Sequence, residues 1–517
     1  MSFCTVLSAA VQGLSVEMIR VEADVSNGLP MFHMVGYLSS EVKEASERVR
    51  TAIRNSGMKL PAKKIIVNLA PATVRKRGAS FDLPIALAVL AAMNYVPEEA
   101  LKGVAVIGEV SLEGKIRGVS GVLPIVMEAK NQGCTACILP EENEIEGRLV
   151  SGIKILPADN LEKLCAYLNG DEKEIHRKKQ GRSSAERNIF ENKKEDFSDI
   201  CGQNAVKRAA EIAVAGGHNL LMAGPPGSGK SMIARRIATI LPELSLEESL
   251  EITRIYSVLG MIDKEQPLIT RRPFRSVHHT ITKTALVGGG MTPRPGEISM
   301  AHGGVLFLDE LAEFPRNVLE VLRQPLEEHQ IHIARNYGNF TFPAEFMLVA
   351  AMNPCPCGNY PDMQKCSCTP SQIQKYLGKI SQPFLDRMDL CIETPKVEYR
   401  ELDIERIGKK EEELSEVIRS RVVEARKLQK KRYEGTQIRT NSMLGPGEIR
   451  TYIPLGSAER KLMEKAFERM GLTARTYHKI LRVARTIADL DYSEKVTEKH
   501  LKEAIAYRSL DKKYWGR

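Results

Sequence analysis

The run GPPGSGKS at residues 224–231 limits what this chain can fold into more than any other feature of its sequence. An apolar stretch that reads as a strand, residues 218–222, precedes the run, and a helical pattern covers residues 231–240. Glycines at this spacing let backbone N–H groups turn inward around phosphate oxygens, and the helix adds the positive end of its dipole. The run therefore predicts a nucleotide-binding loop on an α/β core.

We expect this loop to hold a nucleoside triphosphate, with ATP and Mg²⁺ as the cofactors. Lys230 brings a point charge to the β- and γ-phosphates, and the Ser231 hydroxyl is a ligand of Mg²⁺. The residues predicted to surround the phosphates are Gly224, Pro225, Pro226, Gly227, Ser228, Gly229, Lys230 and Ser231.

Two carboxylates follow the apolar run VLFL further along the chain. They are Asp309 and Glu310, and the first lies 79 residues after Lys230. We expect Asp309 to hold Mg²⁺ through water and Glu310 to polarise the attacking water as a general base. A strand that simply ends at solvent is the alternative. A further apolar run ends in Asn353, which either orients the lytic water or forms an Asn-Pro turn.

Composition divides the chain into four predicted parts. Residues 171–199 carry eight basic and eight acidic side chains and few apolar ones, which indicates a flexible charged linker. Residues 1–170 alternate β-like and helical runs, as in an α/β domain. Residues 200–395 form the predicted ATPase core. Residues 396–517 keep the apolar period of helices. The clearest runs predict strands at 64–69, 104–108, 136–139 and 346–352, and helices at 41–55, 83–93 and 204–215.

The formal net charge of +9 is concentrated near the C-terminus. Residues 1–395 hold 45 basic and 45 acidic side chains, whereas residues 396–517 hold 29 basic and 20 acidic ones. This excess indicates a polyanionic partner such as nucleic acid, or else a Lys-rich helical surface. No apolar run reaches the ~20 residues that cross a bilayer, and no secretory signal is present, so we expect a cytoplasmic protein without a membrane partner.

Four of the ten cysteines lie within fourteen residues, in two C-x-C pairs. They are Cys355, Cys357, Cys366 and Cys368. Four thiolates suit tetrahedral Zn²⁺, and a metal would order a segment that is too poor in apolar residues to form a core. We therefore predict structural zinc, with a reduced surface loop and a redox-sensitive thiol cluster as alternatives. Cys134 and Cys137 read instead as packing residues.

With these motifs placed, the chain resembles the ComM/YifB family of AAA+ ATPases, often called magnesium-chelatase-like proteins. The resemblance rests on long runs at residues 271–327, 353–370, 384–390 and 475–490 and on NLAPATVRKRGASFDLPIAL near the N-terminus. It implies a P-loop AAA+ core with a C-terminal helical lid, working as a homo-hexamer. Asn353 is similar to sensor 1, and Arg387 to the arginine finger that reaches a neighbouring subunit. Arg475 is similar to sensor 2, with Arg482 as the rival.

The N-terminal region resembles the Lon protease domain, of ribosomal-S5-like α/β fold. Ser80 stands where the Lon nucleophile would be, but Leu123 occupies the place of its partner lysine. A serine hydroxyl without a neighbouring amine is a weak nucleophile, so we expect an inactive scaffold and no protease activity.

Residues 331–346 read as two strands joined at residues 336–339, just before the predicted sensor 1. In related ring ATPases such a hairpin lines the pore, so the resemblance implies that Arg335 and Tyr337 contact DNA. His278, His279 and Lys283 precede a Gly-Gly-Gly run and are further candidates for DNA contact. The alternative is that these side chains stabilise the hairpin or a subunit contact.

The leading hypothesis is a ring-forming motor on single-stranded or branched DNA, a helicase that promotes branch migration in recombination and natural transformation. Recombination proteins would then be its partners. A chelatase-type motor that remodels a protein is the alternative, and a regulatory protease is disfavoured by Leu123.

Overall fold

The structure is a computed structural model that describes residues 2–171, 195–335, 338–396 and 413–515. The N-terminal strands are β1 Ser2–Gln12, β2 Ser15–Ser26, β3 Met31–Val35, β4 Lys64–Ala70, β5 Val104–Val106, β6 Glu109–Val110, β7 Ile116–Arg117, β8 Ala136–Pro140 and β9 Lys154–Ala158. The N-terminal helices are α1 Ser40–Asn55, α2 Asp82–Ala92, α3 Val122–Asn131, α4 Glu144–Gly147 and α5 Leu161–Leu168.

The N-terminal region is built on a seven-stranded mixed sheet with the order β3-β4-β2-β1-β5-β8-β9. Strands β1 and β2 form a long antiparallel hairpin, and β5, β8 and β9 run parallel to each other. Helix α2 is buried at every position and is apolar on every side after its first residue, Asp82, whose carboxylate pairs with Arg48. The strands predicted at 64–69, 104–108 and 136–139 and the two predicted helices are confirmed to within two residues.

The central region contains the remaining strands, which are β10 Leu220–Ala223, β11 Phe274–Val277, β12 Gly288–Gly289, β13 Arg294–Pro295, β14 Val305–Leu308, β15 Gln330–Arg335, β16 Gly338–Pro343, β17 Met347–Met352 and β18 Leu390–Glu393. Its helices are α6 Asn204–Gly216, α7 Lys230–Ile237, α8 Leu246–Leu259, α9 Lys283–Val287, α10 Glu297–Met300, α11 Arg316–Glu320, α12 Pro325–Glu328, α13 Pro370–Leu377 and α14 Gln382–Leu385.

Five of these strands form a parallel sheet with the order β11-β14-β17-β10-β18. Strands β10, β14 and β17 are buried at every position, which explains their unbroken apolar runs. Because parallel strands end at the same edge, the segments that follow these three strands meet there. This edge carries the loop 224–231.

The C-terminal region is helical, as predicted: residues 413–515, all of which are described, contain no strand. Its helices are α15 Ser415–Arg432, α16 Pro446–Tyr452, α17 Ser457–Met470, α18 Ala474–Leu490, α19 Glu498–Ala506 and α20 Ser509–Trp515. The buried carboxylate of Asp489 pairs with Arg432 and Arg485, which ties α15 to α18. None of the helices in the described ranges is long and apolar enough to cross a membrane.

The N-terminal region contacts the central region through the turn between β1 and β2. Leu14 of this turn belongs to the same buried cluster as Phe340 and Phe342 of the β15–β16 hairpin. Nearby, the Gly121 N–H donates to Ser257 O at 2.9 Å, and Ser257 Oγ donates to the buried carboxylate of Glu146 at 2.5 Å. The base of the hairpin therefore packs on the N-terminal region.

The predicted linker lies largely outside the described residues, since these omit 172–194. Its last residues are described, and they pack on the central region. Phe197 is fully buried, and Asp196 caps the short 3-10 helix Phe197–Asp199. The division of the chain into four parts stays a prediction.

Candidate nucleotide-binding site

The loop 224–231 connects β10 to α7, which begins at Lys230. Gly227 and Gly229 have positive φ angles of 73° and 83°. Among the described residues other than their chain neighbours, no atom lies within 4 Å of the position that a Cβ would take on either. This open concavity, with helical N–H groups beside it, fits a phosphate group. The Gly224 N–H donates to Met352 O at 3.1 Å, so the start of the loop is fixed to the end of β17.

Lys230 is 8% exposed and its ammonium is held within the loop. Its Nζ donates to the carbonyl oxygens of Gly224 and Pro225, both at 2.8 Å. It also contacts Ser228 Oγ at 3.3 Å and Asn353 Oδ1 at 3.2 Å. Burial lowers the pKa of Lys230 to about 8. A cation of this kind is poised to exchange neutral partners for phosphate oxygens.

Ser231 and Asp309 meet directly across the sheet edge. Ser231 Oγ donates to Asp309 Oδ2 at 2.6 Å, although 78 residues separate them. A hydroxyl and a carboxylate are the hard oxygen ligands that Mg²⁺ prefers. The structure thus brings together the loop, Asp309 and Asn353, and the chemistry of these side chains fits ATP with Mg²⁺.

Glu310 directly follows Asp309, and its N–H donates to Asp309 Oδ1 at 2.9 Å. Its backbone is left-handed, with φ 51°, a conformation uncommon outside glycine and typical of functional positions. His279 Nδ1 lies 3.3 Å from Glu310 Oε2, and the His278 and His279 rings are 4.0 Å apart. This contact was missed at the sequence level, since it arises only because β11 is the neighbour of β14 in the sheet.

Three arginines line a separate cavity of about 330 Å³ between the central and C-terminal regions. They are Arg387, Arg475 and Arg482. Of the described residues, those that line this cavity include none of the loop 224–231. The structure therefore brings the predicted arginine finger and both sensor 2 candidates together, and it separates them from the loop of the same chain.

Arg387 is 7% exposed and its guanidinium is engaged by its own chain. Nη2 pairs with Glu327 Oε1 at 2.6 Å, and Nε donates to Arg323 O at 3.2 Å. The two sensor 2 candidates differ in burial: Arg475 is exposed, whereas burial lowers the pKa of Arg482. Within the part of the chain that the structure describes, Arg482 Nε is buried without a hydrogen-bond partner.

Three family models cover most of the chain. The one described as magnesium chelatase, subunit ChlI, matches residues 196–402. The one described as subunit ChlI of Mg-chelatase matches residues 21–143, and the one described as magnesium chelatase, subunit ChlI C-terminal, matches residues 412–508.

Full-length relatives decide the family. The chain is 44% identical to the protein named YifB of Escherichia coli strain K12, over 99% of this chain and 98% of that protein. It is 42% identical, with the same coverage, to the competence protein ComM of Haemophilus influenzae. The chain belongs to the ComM/YifB family. Membership of this magnesium-chelatase-like AAA+ family implies ATPase activity with ATP and Mg²⁺.

The N-terminal region of this ComM/YifB protein is also similar to Lon protease. A stretch amounting to 29% of the chain is 26% identical to the Lon protease of Trichlorobacter lovleyi and covers 19% of that protein. With the parallel sheet and the helical C-terminal region, this confirms the predicted fold class. Leu123, at the expected lysine position, is fully buried in α3, and Lys115 pairs with Glu113.

The four clustered cysteines lie between Asn353 and α13. Their Sγ atoms all lie within 4.8 Å of one another. The four residues are Cys355, Cys357, Cys366 and Cys368. Cys134 and Cys137, in contrast, are buried beside or within β8, and burial raises the pKa of both thiols. These two are packing residues, as predicted.

The ComM/YifB hairpin of β15 and β16 holds the predicted DNA-contact residues near its tip. The side chain of Arg335 is exposed. Its guanidinium lies beside Gly289 of the β12–β13 ribbon, since a Cβ added to that glycine would be 3.6 Å from Arg335 Nη2. Lys283, at the start of α9, is also exposed, whereas His279 lies against Glu310. The second strand begins at Gly338, inside the predicted turn 336–339. Tyr337 lies outside the described residues.

Proposed function

We propose that this chain is one subunit of a homo-hexameric ATPase that moves along single-stranded or branched DNA. In this proposal it is a helicase that promotes branch migration in recombination and natural transformation, with recombination proteins as partners. The observation that carries the proposal is the arginine cavity, because its cations lie away from their own nucleotide loop and are placed where the loop of another subunit can meet them. The name of the competence protein ComM supports the biological setting.

The proposed ATP chemistry follows from the sheet edge. Lys230 and the N–H groups of the loop bind the phosphates, while Ser231 and Asp309 hold Mg²⁺, which neutralises charge on the phosphate oxygens. Glu310 accepts the proton of the attacking water. Asn353, held at the end of β17 beside Lys230, orients that water.

Assembly completes this site. Charge that develops on the transferred phosphoryl group needs fixed cations, and Arg387 supplies one to the neighbouring subunit. Within its own chain Arg387 is paired with Glu327, so its guanidinium must exchange that carboxylate for phosphate oxygens. Arg475 or Arg482 reaches the same phosphates from the same cavity. Hydrolysis therefore depends on contact between subunits.

The DNA part of the proposal rests on the β15–β16 hairpin. The base of the hairpin is apolar and packed, because Ile331, Phe340 and Phe342 are buried. This packing holds the exposed tip in a fixed position. Arg335 at the tip supplies a phosphate contact, and Tyr337 a surface for base stacking. Lys283, His278 and His279 extend the DNA contacts from the neighbouring segment.

We expect single-stranded or forked DNA to raise the ATPase rate of the full-length protein, and Arg335→Ala to weaken that response. Removing one phosphate contact lowers DNA affinity by roughly tenfold at 100 mM salt and reduces the salt dependence of binding. The measurement is ATPase rate against DNA concentration at several salt concentrations.

Arg54→Ala is the control, because Arg54 is an exposed arginine at the end of α1, far from the hairpin in sequence. A wild-type ATPase that ignores DNA would instead favour the chelatase-type motor acting on a protein partner, which the matches to ChlI models also support.

The contact of His279 with Glu310 gives a second prediction. The His279 ring, whose Nδ1 lies 3.3 Å from Glu310 Oε2, holds the carboxylate on the β11 side of the site. His279→Ala should therefore raise the DNA-free ATPase rate by roughly threefold, the scale of one partly exposed polar contact.

His278→Ala is the matched control, since it removes the neighbouring ring and leaves the His279–Glu310 contact in place. The DNA-free rates of both variants and of the wild type are compared at neutral pH. An unchanged or lower rate in His279→Ala would show that His279 does not restrain Glu310.

A further inference from the structure

The cysteine cluster, defined as Cys355, Cys357, Cys366 and Cys368, has the dimensions of a metal site. The separation of Cys355 Sγ from Cys357 Sγ is 3.4 Å, and from Cys366 Sγ it is 3.8 Å. Cys357 Sγ and Cys366 Sγ are 3.6 Å apart. Four sulfurs placed about 2.3 Å from one central ion, in a tetrahedron, are about 3.8 Å from each other.

These distances distinguish a metal site from the other arrangements of four cysteines. All ten cysteines lie in the described ranges and none forms a disulfide, since the sulfur separations in the cluster are far longer than the ~2.05 Å of an S–S bond. Thiols that share no ligand gain little from converging, because thiolates repel one another and thiols hydrogen-bond only weakly to each other. One soft divalent cation in the centre accounts for the convergence.

The surroundings of the sulfurs suit a thiolate site. Cys355 is fully buried, and the other three are half-buried. The Tyr360 N–H donates to Cys355 Sγ at 3.4 Å, and Asn359 Nδ2 lies 4.0 Å from Cys357 Sγ. Such N–H groups stabilise and orient metal-bound thiolates. The segment has few apolar residues of its own, and its cysteines and Tyr360 pack on the buried cluster of the central region. An ion at the four sulfurs adds a second source of order.

We propose that the cysteine cluster binds one Zn²⁺ through four thiolates and that this ion braces the nucleotide-binding loop. Gly358, inside the cluster, lies directly against the loop, since a Cβ on it would fall 2.2 Å from Pro226 Cδ. Cys355 also follows two residues after Asn353, whose Oδ1 contacts Lys230 Nζ. The ion therefore stiffens this segment. The segment contacts Pro226 of the nucleotide-binding loop through Gly358, and its first residue, Asn353, is held beside Lys230.

Zinc binding is tested on the full-length protein by elemental analysis and X-ray absorption at the zinc edge. We expect about one zinc per chain, with four sulfur neighbours at about 2.3 Å. Cys366→Ser should lose most of this zinc. Cys201→Ser should keep it, because Cys201 is a half-exposed free thiol outside the cluster. Zinc well below one per chain, iron in its place, or equal zinc in both variants would overturn the site.

The bracing role rests on the proposed ATPase and is tested separately, by the affinity for a fluorescent ADP analogue. We expect Cys366→Ser to bind the analogue at least about tenfold more weakly than Cys201→Ser, because loss of zinc frees the segment that holds the nucleotide-binding loop in place. If Cys366→Ser does not fold, as judged by circular dichroism, zinc is removed from the wild-type protein with a thiol-reactive mercurial instead, and affinity is measured before and after. Unchanged affinity after zinc loss overturns the bracing and leaves the zinc site standing.

Discussion

Replacing Arg387 with alanine is expected to lower ATPase turnover by about three orders of magnitude while ATP binding is retained. The physical reason is that Arg387 lies in the arginine cavity, away from the loop of its own chain, and in the proposed assembly it acts on a phosphate held by a neighbour. Turnover is measured at saturating ATP, and affinity is measured separately with a fluorescent nucleotide.

Arg323→Ala is the control for this prediction. Arg323 is close by, but its side chain is 40% exposed and paired with Glu320, and only its backbone oxygen contacts Arg387. If Arg323→Ala abolished turnover and Arg387→Ala left it intact, the assignment of Arg387 would be wrong.

Mixed subunits separate an action on the neighbour from a structural role of Arg387. Subunits with Lys230→Ala lack a working loop but keep Arg387, whereas Arg387→Ala subunits have the opposite defect. A one-to-one mixture should recover about a quarter of the wild-type rate, since one head-to-tail interface in four combines both intact partners. No recovery, with rings still formed, would argue that Arg387 acts within its own chain.

Glu310→Gln should lower ATPase turnover by about 10²- to 10⁴-fold, the contribution expected of a general base, and leave ATP affinity near the wild-type value. Glutamine keeps the size of the side chain and removes its ability to accept a proton. Single-turnover hydrolysis of ATP by the assembled protein is the appropriate measurement, because it isolates the chemical step.

The matched control is Glu313→Gln, three residues further along, where the exposed carboxylate pairs with Lys379 at 3.0 Å. This variant should hydrolyse ATP at the wild-type rate. A Glu310→Gln rate within tenfold of wild type would remove Glu310 from the proposed chemistry.

The loop 224–231 and the strands beside it could be predicted because their signals are local. Each signal spans only a few residues: the glycine spacing forms one, and the apolar run of β14 with the carboxylates after it forms another. The meeting of Ser231 with Asp309 then follows from a general property of parallel sheets, whose strands end at a common edge.

Features that depend on strand order or on distant pairing could not be predicted in the same way. The contact of His279 with Glu310 requires β11 beside β14, and no local pattern gives that order. Arg387 is buried by Glu327, which is 60 residues away. The first strand was also missed, because its alanines have low strand propensity and it forms through pairing with the distant strand β5 as well as with β2.

The packing of the β1–β2 turn against the base of the β15–β16 hairpin has a mechanical consequence. If the tip of the hairpin moves, the Lon-like region on which the base of the hairpin packs receives the opposing force. In the proposed motor, each movement of the hairpin during ATP hydrolysis would push on the seven-stranded sheet. A molecule bound to that sheet could slow the proposed motor, or respond to the force on it, without contacting the nucleotide.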